Sequence, residues 1–316
     1  MAVLWASAFL YCLCAHSHAS EFPSFGDSAG ALERARIEAA AMPGISSKPA
    51  PVPRYSGVYN PWKLVTTPSP KPPESIGSYA AGCLRGAQAL ELHGAGFEVM
   101  RPSRHRNYGH PRLLSFLRTL GANASSAGLG SILVGDLGQP RGGPTLSGHA
   151  SHMNGLDVDL WYLQVPAGTE LSPQDRETMS ATNMVLPDFG GQSKAWNPKA
   201  LELLRLAASD ASVERIFVNP VVKQAVCKAH PGEAWVRKLR PYWGHDDHCH
   251  ARLFCTPGDA HCSVQEPVPA GDGCGAELAD WLSPEKKAEN HRQETEPAKP
   301  PVMPHLPALC QQVLSE

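Results

Sequence analysis

The sequence predicts an α+β fold, a single domain around a small antiparallel sheet with an extension at each end. Three observations carry that expectation. Apolar residues recur at intervals of three and four over residues 110–120, and residues 197–208 are amphipathic in the same way, as helices burying one face are. Leu156-Leu160 is different: Leu156-Asp157-Val158-Asp159-Leu160 alternates apolar and acidic side chains with period two, as a half-buried strand does. The helical and extended segments also lack a regular strand-helix-strand order, which argues against a parallel α/β architecture.

In chain order, the first twenty residues contain no Lys, Arg, Asp or Glu. The apolar run at residues 2–15 is shorter than the roughly 20 residues a membrane span needs. Ser17-His18-Ala19 supplies small residues where a leader is cleaved. Residues 1–19 are therefore expected to be a signal peptide with no stable membrane span; because no basic side chain precedes the apolar run, either the true start lies elsewhere or the amino group alone supplies the charge. Cys12 and Cys14 lack a lipoprotein context, so no lipid anchor is expected. Residues 20–74 are rich in Pro, Ser and Ala, with one short helix expected at 29–41, and read as a spacer.

The folded domain is expected over residues 75–282. Residues 88–100 suggest a strand, clearest at Phe97-Glu98-Val99-Met100, and residues 110–120 a helix. Residues 131–136 read as a buried strand leading into a Gly/Pro loop. The helix at 197–208 has Asn197 or Trp196 near its cap and Pro198 in its first turn. A strand at 215–220, a helix at 221–229 and a strand at 245–254 follow. Residues 283–307 are full of Pro, Lys and Glu without a periodic apolar face, so 283–316 is expected to be a tail of low structural content. With 316 residues, 42% of them hydrophobic, there is room for one large domain or two small ones. A net charge of −2 gives no electrostatic footprint for nucleic acid, so that class of partner is excluded.

Two segments concentrate metal-ligand chemistry: Ser147-Gly148-His149-Ala150-Ser151-His152, continuing through Asp159, and Trp243-Gly244-His245-Asp246-Asp247-His248-Cys249-His250. On a helix His152 and Asp159 would lie about 10 Å apart along the axis, too far to share metal bonds of about 2.0–2.2 Å. Gly155 permits a tight turn between them, and the alternating strand then delivers Asp159. If residues 245–254 are extended, His248 and His250 share one face and Cys249 takes the other. Two imidazoles and one carboxylate, with a fourth position open, are the composition of a catalytic zinc site. His152, Asp159 and His250 are the expected ligands, and His149 is a further candidate three residues before His152. His248 is the best placed general base or oxyanion partner and His245 the second. Asp157 is assigned a hydrogen-bonding role. Arg104, Arg106, Asn107 and Tyr108 form a polar cluster suited either to a substrate carboxylate or to a loop-fixing salt bridge. His230, His261, His291 and His305 are expected to be solvated.

His-x6-Asp followed downstream by His-x-His resembles the group of lysostaphin-like peptidases, D-alanyl-D-alanine metallopeptidases and the hedgehog domain. Within it the chain is similar to the penicillin-insensitive murein endopeptidases of the Gram-negative periplasm. The resemblance rests on Gly148-His149-Ala150-Ser151-His152 through Asp159, Ile76-Gly77-Ser78-Tyr79 before Cys83, Arg104-His105-Arg106-Asn107-Tyr108-Gly109-His110-Pro111, Ile216-Phe217-Val218-Asn219-Pro220 and Gly271-Asp272-Gly273-Cys274-Gly275. It covers roughly residues 60–282, with a weaker match at the C-terminal cysteine. It implies zinc on His152, Asp159 and His250, and hydrolysis of the D-alanine to meso-diaminopimelate cross-link of peptidoglycan. It also implies the disulfides Cys83–Cys310, Cys227–Cys274 and Cys255–Cys262, which suit an oxidising periplasm; spacing alone allows fifteen pairings of six cysteines.

The chain departs from the family pattern twice. Where relatives carry an additional metal-binding Asp-x-x-His pair, this chain has Pro187-Asp188-Phe189-Gly190-Gly191, which puts a second metal in doubt. Cys249 stands between His248 and His250 where an apolar or aromatic residue is expected, and reads as a small buried hydrophobe. Serine acylation is the competing mechanism for this bond. The one Ser-x-x-Lys is Ser283-Pro284-Glu285-Lys286 in the polar tail, so insensitivity to β-lactams is expected. Two alternatives stay open: a metallocarboxypeptidase trimming a terminal D-alanine, and a non-catalytic zinc module that binds murein.

Overall fold

The computed structural model describes residues 59–145, 149–296 and 302–316. The expected signal peptide, the helix expected at 29–41, and Cys12, Cys14, Ser147 and Gly148 lie outside the described residues. Strands β1 (Glu74–Ser78) and β2 (Ala81–Arg85) form an antiparallel hairpin, followed by the short strands β3 (Gln88–Ala89), β4 (His93–Gly94), β5 (Phe97–Val99) and β6 (Tyr108–Gly109). Helix α1 (Pro111–Ser126), strands β7 (Ser131–Val134) and β8 (Asp157–Val165), and helices α2 (Pro173–Thr178) and α3 (Pro198–Ser209) come next. Then follow β9 (Val213–Val218), α4 (Pro220–Ala229), β10 (Leu239–Pro241), β11 (His248–Leu253), α5 (Ala276–Trp281), α6 (Pro284–Thr295) and α7 (Ala308–Ser315).

The fold is α+β. Its main sheet has seven strands in the order β10-β9-β11-β8-β7-β5-β4. The strands that carry the candidate site, β8, β11 and β9, pair antiparallel, while β10 with β9 and β5 with β7 pair parallel. One face of the β8–β11 pair presents Val158, Leu160, Cys249 and Ala251, all buried in the main core, where α1 and α3 cover the sheet. The opposite face presents Asp157, Asp159, His250 and Arg252. This is the period-two alternation of the sequence made physical: apolar positions face the helices and ionisable ones the site.

Several boundaries differ from the sequence reading for identifiable reasons. Residues 88–100 form three short strands because the chain turns back at Gly96, whose φ is +78°. The strand expected at 245–254 starts at His248, since Gly244 and His245 adopt φ of +66° and +55° and break the extension. The strand expected at 215–220 runs from Val213 to Val218, freeing Asn219 to accept a hydrogen bond from the Val221 N–H at 2.8 Å and cap α4. At α3 the cap is Asn197, accepting from Lys199 and Ala200 N–H groups. The polar tail is more ordered than its composition suggested. Ser283 caps α6, with Pro284 in the first turn, and Lys286–Glu289 and Asn290–Glu294 pairs support an almost wholly polar helix. His291 therefore lies on a helix.

The three disulfides pair Cys83 with Cys310, Cys227 with Cys274 and Cys255 with Cys262, and Cys249 is a buried free thiol. The first joins α7 to the β1–β2 hairpin across a sequence separation of 227 residues. Around it Trp62, Ile76 and Val313 form a small core, and the Arg141 guanidinium donates to the Val313 and Leu314 carbonyls at 3.0 and 2.9 Å at the end of α7. Cys310→Ser is expected to lower the free energy of unfolding by about 2–4 kcal/mol, measured as a shift in the urea midpoint without reductant. An unchanged midpoint would mean that the non-covalent docking of α7 suffices.

Candidate metal centre

The loop from β7 to β8 and the start of β11 build the site. Gly155, at φ +76°, turns the chain between His152 and β8, and a Cβ there would meet the Leu84 side chain at 2.3 Å, so both backbone angle and space require glycine. His152 itself is held at φ +69°, an uncommon conformation for a residue with a side chain. Its backbone N–H donates to Asp157 Oδ2 at 2.9 Å, and the next N–H, of Met153, donates to the Tyr79 carbonyl at 3.0 Å. These bonds fix the ring of His152 over the sheet.

Cross-strand register does the rest. His250 lies opposite Asp159, and Arg252 opposite Asp157. Asp157 takes Arg252 Nε at 2.6 Å on one oxygen and Arg252 Nη2 at 3.2 Å on the other, a bidentate pair. The Nε2 of His250 is 3.3 Å from the same carboxylate, which turns His250 Nδ1 toward Asp159 Oδ1 at 3.2 Å. His152 Nε2 approaches that oxygen at 3.4 Å and His248 Nε2 at 3.9 Å. Yet Asp159 Oδ1 and both ring nitrogens of His152 are buried with no hydrogen-bond partner of good geometry among the described residues.

Such orphaned groups are costly, and their spacing suggests why they persist. Donors sharing a tetrahedral zinc at bonds of about 2.0–2.1 Å sit about 3.3 Å from one another. The separations from Asp159 to His152 and His250 are of that size, and the donor set is two imidazoles and one carboxylate, so the residues present fit a zinc ion. His149 borders the same group: a donor atom of each of His149, His152 and Asp159 lies within 4.8 Å of the others. Its Nε2 is 3.0 Å from Asp136 Oδ2, leaving Nδ1 facing Asp159 Oδ2 at 3.6 Å.

Electrostatics separates the remaining histidines. With no cation bound, burial opposes the charge on His248, but Asp159 and a 2.6 Å contact from its Nδ1 to Asp247 outweigh that and raise its pKa to about 9. Because a carboxylate only accepts, Nδ1 carries the proton and Nε2 faces the site. His245 is the opposite case: burial and the nearby charges of His248 and His250 push it down to about 3. It is neutral at pH 7, and its Nδ1–H donates to the Trp243 carbonyl at 3.1 Å, leaving Nε2 as an acceptor. For Asp159 burial raises the pKa, yet the imidazoles of His152 and His248 hold it well below the usual carboxylate range.

Two carboxylates beside the site escaped the sequence reading. Asp136, just past β7, takes Arg104 at 3.1 Å, Arg106 at 2.9 Å and His149 on a single oxygen. Both arginines of the polar cluster thus brace a loop, the second of the two roles considered for them, and Asn107 donates to the Leu90 carbonyl. Asp247 orients His248; its position directly before that histidine was the available signal. Of the histidines expected to be solvated, His230 and His261 lie against Glu233 and Glu74, away from the site.

Antiparallel strands within a mixed seven-stranded sheet, larger than the small antiparallel sheet expected, offer a buried imidazole and carboxylate set with a further histidine held by its own acid, the composition used by metal-dependent hydrolases. A model of the penicillin-insensitive murein endopeptidases matches residues 75–315, and the chain belongs to that family. The match runs beyond residue 282 to include α6 and α7. Proteins named penicillin-insensitive murein endopeptidase are similar throughout: that of Haemophilus influenzae is 42% identical over 261 residues, 80% of this chain and 88% of the relative. One from Klebsiella pneumoniae is 41% identical over 263 residues, 81% and 91%, and one from Escherichia coli K12 is 39% identical over 262 residues, 81% and 91%. The chain is a peptidase by that membership.

If the site holds a metal ion, Asp157→Ala is expected to weaken its binding by about 10- to 100-fold without removing a candidate ligand, because the imidazole of His250 and the backbone of His152 lose their anchor. Competition with a chromophoric chelator checks this, and wild-type affinity in a folded variant would show that the ligands hold themselves in place.

Proposed function

We propose that the chain is a zinc-dependent endopeptidase of the periplasm that hydrolyses peptide cross-links of peptidoglycan, at the bond from D-alanine to meso-diaminopimelate, with His152, Asp159 and His250 as the zinc ligands. The observation that carries this reading is Asp159 Oδ1, buried without a hydrogen-bond donor among the described residues and faced by nitrogens of His250, His152 and His248 at 3.2, 3.4 and 3.9 Å. Bound there, zinc would lower the pKa of a water molecule to about 7 and polarise the scissile carbonyl. His149, tied to Asp136, lines the same side as a fourth candidate ligand.

The protein groups then divide the proton work. His248, anchored through Nδ1 by Asp247, turns Nε2 to the reacting centre; as the imidazolium it gives a proton to the leaving amine, and with a cation neutralising Asp159, the main cause of its raised pKa, it takes one from the nucleophile. His245 stays neutral and presents Nε2 as an acceptor that orients substrate or water. The guanidinium groups of Arg104 and Arg106, which a carboxypeptidase would use for a free terminal carboxylate, are engaged by Asp136, and this favours cleavage within a chain. The Ser283 side chain caps α6 and Lys286 Nζ pairs with Glu289, so this Ser-x-x-Lys has no nucleophilic function and β-lactams have nothing to acylate. Three disulfides favour an oxidising compartment, and no described helix is long and apolar enough to cross a membrane.

Digestion of purified cross-linked murein, with muropeptides resolved by mass, tests the reading. Dimers are expected to become monomers only with zinc present, to stop with chelator, and to be unaffected by penicillin. Loss of a terminal alanine alone would establish the carboxypeptidase instead, and no product at any zinc concentration the binding module. His248→Ala is expected to bind zinc but to lose about 10²- to 10⁴-fold in kcat; unchanged turnover would remove His248 from the reaction.

A further inference from the structure

We propose that a group of aromatic rings beside the metal centre is a sugar-binding platform, seating the glycan strand of murein while its attached peptide is cleaved; this rests on the peptidoglycan reading above. The rings start at the site. Phe217 of β9 lies 5.6 Å, centroid to centroid, from the ring of His250, and Tyr242 lies 5.7 Å from Phe217. Trp281 at the end of α5 is 6.2 Å from Tyr242, Trp243 is 5.6 Å from Trp281, and Phe189 is 4.5 Å from Trp243. Four separate stretches of chain contribute, and the Lys287 ammonium on α6 donates to the Phe189 carbonyl at 3.3 Å, fixing the outer end.

Phe189, at the outer end, packs against the main core, but among the described residues Phe217, Tyr242, Trp243 and Trp281 belong to none of the buried apolar clusters; Tyr242 is 54% exposed and the other four rings are half-buried. A contiguous aromatic group that keeps one ring exposed and the others half-buried, outside the core, has the character of a binding surface. Its chemistry selects the occupant. The faces of Trp, Tyr and Phe rings carry negative quadrupole density, complementary to the C–H bonds along the flat face of a pyranose ring, while phenol and indole edges suit its hydroxyl and amide groups. D-alanine and diaminopimelate offer only small or charged groups, with no flat apolar face to stack. Continuity with the metal centre supplies the remaining argument, because a peptide cross-link held there carries its sugar covalently and nearby.

The test uses the full zinc-loaded chain and the two products of treating murein with an amidase: peptide-free glycan strands, and cross-linked peptides free of sugar. Strands should quench tryptophan fluorescence and bind in a titration. Trp281→Ala should bind them about three- to tenfold more weakly, and Tyr242→Ala, at an open ring, gives the same reading if the tryptophan variant does not fold. The preference in kcat/KM for sugar-bearing over sugar-free cross-links should fall in both variants. No binding of strands by the wild-type chain, or equal binding and equal preference in the variants, would overturn the proposal. Strand binding without cleavage of either cross-linked substrate would instead sink the endopeptidase reading and leave the platform standing.

Discussion

Asp157 is fully buried, and its two oxygens take Arg252 in a bidentate pair, the backbone N–H of His152 and the ring of His250. A buried charge is tolerated only when paired and hydrogen-bonded, and removing one partner from such a set leaves the other stranded in a medium that solvates it poorly. Here the pairing also sets register. Asp157 faces Arg252 across β8 and β11, so a slip of one strand by one residue would break the ion pair and at the same time turn Asp159 or His250, whichever strand slipped, into the core. Satisfying this one carboxylate thus fixes which groups meet two residues further along.

What those groups do for stability differs from what they do for chemistry. Asp159 Oδ1 and the ring nitrogens of His152 are buried without good partners among the described residues, and His152 is held in a left-handed backbone conformation, a local cost of order 1–3 kcal/mol. The surroundings over-determine that geometry through Asp157, through Met153 on Tyr79 and through the glycine turn at Gly155. A cation would relieve the orphaned groups, which links its binding to the stability of this loop. The cost is therefore concentrated where a ligand would remove it, as expected of a preorganised site.

The parts legible in the sequence were those with a short repeat. That His152, Asp159 and His250 meet could be anticipated because seven-residue spacing excludes a helix, and because alternation in residues 156–160 reports a sheet face directly. The disulfides came from resemblance, not from spacing. Asp136 was opaque because its partners Arg104, Arg106 and His149 are brought to it by tertiary folding, and nothing local distinguishes a carboxylate at a strand end that will be buried. Helix α6 was missed for the opposite reason. With Asn290 its only buried residue, it has no apolar face to give a period, and the signal lay instead in the Ser283-Pro284 start and the charge pairs along it.

The C-terminal disulfide is remote from the metal centre in sequence but not in physical connection. Cys83 lies in β2, whose hairpin turn carries Tyr79. The carbonyl of Tyr79 receives the Met153 N–H beside His152, and its ring lies 3.5 Å from the guanidinium of Arg252. The hairpin therefore braces both halves of the site, the loop that presents His152 and the ion pair that sets His250. It has only two strands, too few to be stable alone, and α7 with its disulfide and small core supplies what it lacks. The tail beyond the sheet is in this sense a structural support of the candidate site, and it lies within the family match, which runs to residue 315.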